Sequence, residues 1–227
     1  MAIDYRIIDG GYLEQQDPDG TWSVHRLGAA EAKRFDEKVA RWFPLALDNE
    51  MRTGLPAAIT LAIINGESGG NENAEGPPSD HGIGLMQITH PSLKQGLSDA
   101  EVFVPENNVR LGVDALTKSA GQVGYDPPKL ASMFNAGSPG NGPHPSSSAP
   151  WGYREYKIPS TGEYPYISKV VRAYNYAIDY KAANSPEPSD GGSSSARSVV
   201  KTVLAVALAG GVVLGAVLLG HAAGARR

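Results

Sequence analysis

An uncharged, helix-like run, Ala58-Ile-Thr-Leu-Ala-Ile-Ile-Asn-Gly, leads directly into a carboxyl, Glu67, and then into Ser68 and two glycines. The chain returns to apolar character with Gly82-Ile-Gly-Leu-Met-Gln-Ile88. An apolar helix has to be packed on other elements, so it predicts a helical body around it. The ionisable group at its mouth is the unusual part. A carboxyl in apolar surroundings keeps its proton to higher pH, which is the condition for general acid chemistry near neutrality. Ile63, Ile64 and Met86 are the residues expected to supply those surroundings.

The rest of the chain is read around that run. Residues 1–28 form a small N-terminal β-hairpin or arm. Tyr5-Arg-Ile-Ile8 and Thr21-Trp-Ser-Val-His25 flank the turn signals Asp9-Gly-Gly11 and Asp17-Pro-Asp-Gly20. Residues 29–183 form the helical domain. Ala32, Phe35, Val39 and Trp42 recur at helical spacing up to Pro44, which marks a break or kink. Pro56 fits the first turn of the helix that runs to Glu67. Further helices are expected over about 106–120, 127–136 and 164–183, the last with Tyr166, Val170, Ala173, Tyr174 and Ala177 on one face. The Pro/Gly/Ser segment 138–150 reads as a loop. The fold class is therefore mainly α, with a small hairpin in front.

Residues 184–198 have linker composition, with a reach of about 20 Å as a flexible coil. Beyond them, residues 202–220 carry no charge, and Lys201 and Arg226–Arg227 bracket them. As a helix that run is about 28 Å long, close to the roughly 30 Å of a bilayer's hydrocarbon. A transmembrane helix over 199–221, followed by a basic tail 222–227, is the expectation. Ala207, Gly211 and Gly215 repeat at four-residue spacing, a face on which two such helices can associate. The N-terminus lacks the basic and long apolar regions of a signal peptide.

Composition excludes several functions. The formal charge is −4 and no Lys/Arg block is present, so a nucleic-acid footprint is not expected. Cysteine is absent and the five histidines are scattered, so neither a disulfide framework nor a metal site is expected. No cofactor motif stands out.

Five motifs follow one another: Glu67-Ser68-Gly-Gly70, Gly84-Leu-Met-Gln87-Ile88, Pro105-Glu-Asn-Asn108-Val-Arg-Leu-Gly112, Phe134-Asn135-Ala136-Gly137 and Tyr166-Ile-Ser-Lys-Val170. In this order they resemble the soluble lytic transglycosylase (SLT-type) domain, over roughly residues 45–180. The resemblance implies a goose-type lysozyme-like helical fold and cleavage of peptidoglycan. It implies that Glu67 is the catalytic acid and, after proton transfer, the base. The base then accepts the muramic acid 6-hydroxyl proton, giving a 1,6-anhydro sugar. By family position, Ser68, Met86, Gln87, Asn135 and Tyr166 are substrate-binding candidates, and Tyr166 faces the acid. Ser68 would bond to Glu67 or the sugar, Gln87 to substrate or loop backbone. Met86 has a competing role in core packing, Asn135 as a cap, Tyr166 as a packing aromatic. Asn108 and Gly112 read as structural. The chain departs from the family at Phe134, where Tyr is usual, and at Gly162–Glu163, where Glu-Thr is usual.

Two alternatives stay open at this stage. Glu72, Glu75 or Asp80 as a second carboxylate would make a hydrolysing muramidase on the same fold. A wall-binding or membrane-fusion protein without activity is the other. The missing signal peptide and small size favour an enzyme carried in a phage virion over one resident in a bacterial envelope, with the catalytic end facing peptidoglycan.

Overall fold

The computed structural model describes residues 5–17, 19–78, 81–89, 91–136 and 166–185. The linker beyond Ser185, the apolar run 199–221 with its Ala207, Gly211 and Gly215 face, and the loop 138–150 all lie outside these residues, while Asn184, expected to open the linker, ends the last helix. Among the described residues no helix is long and apolar enough to cross a membrane.

The N-terminal residues make three strands rather than one hairpin: β1 (Tyr5–Ile7), β2 (Leu13–Gln16) and β3 (Trp22–Ser23), antiparallel in that order. Both turn signals turn, so the segment between them becomes the middle strand. Arg6 pairs with Glu14 and Gln16 with Trp22. The sequence Leu-Glu-Gln-Gln hides this strand, because Leu13 is its only apolar residue and is 1% exposed.

The helix expected over 29–43 is also subdivided. α1 (Ala29–Arg34) passes into a π-helical turn, Phe35–Val39, and a 3-10 turn, Ala40–Trp42. α2 (Phe43–Thr53) then begins with Pro44 in its first turn. There the missing N–H costs nothing, so the break falls before Pro44, at Trp42.

α3 (Ala57–Glu67) is the axis of the domain. All residues from Ala57 to Ile64 are buried. Pro56 is its N-cap rather than a first-turn residue, and it has no side-chain oxygen to offer. The carboxylate of Glu50, on α2, fills that role by accepting from the Ala57 N–H at 2.9 Å. Lys181, from the C-terminal helix, pairs with Glu50 at 2.7 Å.

The remaining helices are α4 (Asp99–Val102), α5 (Pro105–Val123), α6 (Pro127–Ala136) and α7 (Tyr166–Asn184). α4, too short for periodicity to reveal, is capped by Ser98, whose hydroxyl accepts from Glu101 N–H while the Glu101 carboxylate returns to Ser98. α7 lies along α3 and buries Val170, Ala173, Tyr174 and Ala177. Gly66 makes the close approach there. A Cβ on it would stand 3.2 Å from Val170 Cγ2 and 3.3 Å from the Tyr166 ring.

Candidate active site

Glu67 is the last residue of α3, and Tyr166 is the first residue of α7. The Tyr166 hydroxyl donates to Glu67 Oε1 at 2.5 Å, across 99 residues of sequence. Burial pushes the Tyr166 phenol well above its ordinary range, and the Glu67 charge and hydrogen bond add to this. The hydroxyl therefore keeps its proton near neutral pH and can donate it to the ionised carboxylate.

The chain leaves Glu67 along a tightly tied path. The Ser68 hydroxyl donates to the Leu85 carbonyl at 2.8 Å and accepts from the Gly70 N–H at 3.2 Å. It thus joins the end of α3 to the 82–88 loop, a task that motif position did not suggest. The Gly70 carbonyl receives Trp42 Nε1 at 3.1 Å and Arg41 Nη2 at 3.2 Å. The Arg41 guanidinium also lies 4.6 Å from the Trp42 ring centre.

The 82–88 loop is organised from within. Ile83 bridges Glu75 in antiparallel fashion, and the Gly84 N–H donates to the Ala74 carbonyl at 2.8 Å. The Gln87 side-chain amide donates to the carbonyls of Gly84 (2.9 Å) and Ala74 (3.2 Å), so loop backbone is what it holds. Met86 is 0% exposed and packs against Gly112 of α5, where any side chain would collide with the thioether. Its position supports the loop from inside and presents no surface to a ligand.

Beneath the loop sits Asn108, also 0% exposed. Its Oδ1 accepts from Met86 N–H at 2.8 Å, and its Nδ2 donates to Ile83 O at 2.8 Å and Val102 O at 3.0 Å. Gly84 has φ of +72°, and a Cβ there would lie 2.5 Å from Asn108 Nδ2. Only glycine meets both demands. Asn108 was expected to be structural, and its side chain is what fixes the loop.

Asn135 is exposed near the end of α6, and Phe134 packs partly buried on the core. Glu72 lies 3.8 Å from Arg41. Glu75 is exposed and lines a cavity of about 180 Å3 with His81, Asp99 and Phe103, of which Glu67 is not part. Asp80 lies outside the described residues. Among the described residues no cluster of three or more His, Asp or Glu is arranged to hold a metal.

Sequence reasoning missed a polar stripe on α7: Ser168, Arg172 and Asn175, all buried, with Asp179 one turn further. Their spacing of four, three and four residues was the available signal.

Residues 44–143 match the family model of the Transglycosylase SLT domain, and this part of the chain is an SLT-type domain. The matched segment contains Glu67 and the 82–88 loop, but neither Tyr166 nor the N-terminal sheet. Two of the solved structures similar to the chain are lytic transglycosylases. The lytic transglycosylase Slt of Pseudomonas aeruginosa, an inactive mutant, is 21% identical with a TM-score of 0.47, over 64% of this chain and 25% of that one. The 70-kDa soluble lytic transglycosylase in complex with bulgecin A is 20% identical with a TM-score of 0.38, over 72% of this chain and 23% of that one. The chain thus spans about a quarter of the length of either enzyme. No curated protein matches it.

Proposed function

We propose that this SLT-type domain is a peptidoglycan lytic transglycosylase with Glu67 as its acid and base. The observation that carries the reading is Glu67 itself, at the end of the buried α3 and within hydrogen-bond reach of Tyr166. Glu67 donates its proton to the oxygen that leaves the anomeric carbon of N-acetylmuramic acid, and the C1–O bond breaks. The resulting carboxylate accepts the proton of the same sugar's 6-hydroxyl while that oxygen bonds to C1. The products are a 1,6-anhydromuramic end and a free 4-hydroxyl; water is not consumed and Glu67 ends protonated.

An internal nucleophile is held close to C1 by its own ring, which replaces much of what a second carboxylate contributes. Tyr166 steadies the carboxylate through both steps, because a hydrogen bond to a carboxylate is strongest when the group is charged. Ser68 and Gln87 keep the opposing loop in place, and Asn135 is the candidate for contact with glycan at the end of α6.

The test is digestion of purified peptidoglycan followed by mass spectrometry. Anhydro-muropeptides, one water lighter than hydrolysed ones, are expected, and Glu67→Gln should lower the rate by at least about 10³-fold. Free reducing muramic ends without anhydro ends would replace this reading with a muramidase.

The charge-free run 202–220 supports a bilayer anchor, which would confine the enzyme to glycan near a membrane. We place the enzyme in a phage particle, used during entry, with helix pairing through Ala207, Gly211 and Gly215. The full chain should float with lipid vesicles and be recovered from purified virions. Recovery only from uninfected bacterial envelopes would remove the phage assignment.

A further inference from the structure

The face of α7 turned away from α3 is polar and yet buried. Ser168, Arg172 and Asn175 are 1%, 6% and 0% exposed, and each is satisfied by residues 13–31. Ser168 Oγ bonds to Gln15 Oε1 at 3.0 Å. Arg172 donates to the Arg26 carbonyl at 3.1 Å and pairs with Glu31 at 2.6 Å. One turn further, Asp179 accepts from the Tyr12 hydroxyl and from Arg26 Nε, both at 2.6 Å.

Asn175 is the centre of this stripe. Its Oδ1 accepts from the Leu13 N–H at 2.8 Å, and its Nδ2 donates to the Leu13 carbonyl at 2.8 Å and the His25 carbonyl at 2.9 Å. The carboxamide takes the N–H and C=O of Leu13 as a neighbouring strand would. It therefore welds β2 to the helix that begins at Tyr166.

The two sides of α7 differ in how they hold it. Towards α3 the contact is apolar, with Val170 and Tyr166 packed closely over Gly66, so it favours burial and sets the axial position through packing alone. Towards the sheet the contact is a row of directional bonds, which a slide along the axis would lengthen and bend out of line. The Tyr166–Glu67 bond is subject to the same limit. Together with the Lys181–Glu50 pair, this row of bonds to the sheet holds α7 in register and so keeps the phenol on the carboxylate.

We propose that Asn175 is a positioning residue, through which the N-terminal sheet sets the register of α7 and holds Tyr166 against Glu67. Residues 5–28, outside the matched SLT segment, thereby belong to the support of the active site. The kinetic part rests on the lytic reading above, and the spectroscopic part does not.

The experiment uses the full chain with ¹³Cζ-labelled tyrosine and compares Asn175→Ala with the milder Ser168→Ala. The Tyr166 resonance is the one lost in Tyr166→Phe, and Tyr125, bonded elsewhere, is the reference. Both variants should move the Tyr166 resonance and leave that of Tyr125 in place. On peptidoglycan, Asn175→Ala should lower kcat about tenfold and leave KM within about twofold, with Ser168→Ala losing about threefold. In a Tyr166→Phe background neither should cost anything further, because the group they position is gone. An unmoved Tyr166 resonance in a folded variant, or equal losses in both backgrounds, overturns the proposal. If Asn175→Ala does not fold, Ser168→Ala decides by the same two readouts. If the parent does not cleave peptidoglycan, the lytic reading falls, and the resonance alone decides this one.

Discussion

Replacing Asn108 by alanine removes one carboxamide and takes a partner from three backbone groups, of which the Ile83 carbonyl keeps the Ile88 N–H at 3.0 Å. The Met86 N–H loses an acceptor at 2.8 Å, and the Ile83 and Val102 carbonyls lose a donor at 2.8 and 3.0 Å. The site is fully buried, so water does not replace these bonds without opening the loop. An orphaned buried group costs about 1–3 kcal/mol, and carbonyls tolerate the loss better than N–H groups, so the Met86 N–H and the Val102 carbonyl together should cost about 2–4 kcal/mol. That is a large part of the roughly 5–15 kcal/mol available to a domain, and urea unfolding would read it directly. Asn108→Asp sharpens the test. One oxygen can still accept from Met86, but the other, if ionised, faces two carbonyls. The folded state therefore raises the pKa of this aspartate above its ordinary value of about 3.9. The stability of the Asp variant relative to the parent should be highest below about pH 4 and fall as pH rises through the folded pKa. A loss under about 1 kcal/mol for Asn108→Ala, or an Asp variant relatively more stable at neutral than at acidic pH, would refute the role given to this residue.

Tyr166→Phe removes a hydrogen bond to a charged group, worth about 1.5–3 kcal/mol, so kcat should fall about 10- to 100-fold in the peptidoglycan assay. Activity lost as pH rises towards 10 should not trace to ionisation of Tyr166, because its phenol is raised well above the ordinary range; Tyr166→Phe should show the same alkaline decline. Gly112→Ala places a methyl on the Met86 thioether and should cost about 1–3 kcal/mol in urea, with part recovered by adding Met86→Ala. Burial opposes the charges on Glu31 and Asp179. Even so, the Gly28 N–H and Arg172 hold Glu31 below the carboxylate range, and Arg26 and Tyr12 do the same for Asp179. Depressed folded pKa values mean that this stabilisation is present above about pH 4 and is lost as pH falls through them. Both groups are partly exposed, so the effect is under about 1 kcal/mol each, and Glu31→Gln with Asp179→Asn should flatten the acid side of the stability profile.

The helices were legible where their signals are local. α6 was expected over 127–136, which is where it lies, and α5 and α7 differ from expectation by three residues or fewer at each end. Periodicity, prolines and glycines act within a few residues of one another, so sequence carries them. Glu67 was legible for the same reason: an apolar run, a carboxyl and two glycines in succession. The middle strand was not, because Leu13-Glu-Gln-Gln has no alternation to read. Its inward glutamine is satisfied by Ser168, 153 residues away. Nor was the π-helical passage at Phe35–Val39, whose apolar spacing suits an ordinary helix equally well.

Sequence by itself determined most of the helices, the motif order and the proposal of Glu67 as the acid, since each depends on neighbours along the chain. It also marked Asn108 and Gly112 as structural. Only the tertiary structure decided what those residues hold, that Ser68 serves the loop carbonyl of Leu85, and that Met86 faces inward. The contact of Tyr166 with Glu67 was implied by the family resemblance and by no local pattern, while the weld of Leu13 to Asn175 was not implied at all; these pairs lie 99 and 162 residues apart. A hydrogen bond across such a distance leaves no period in the sequence; it exists once the apolar faces have packed and brought the polar groups within reach.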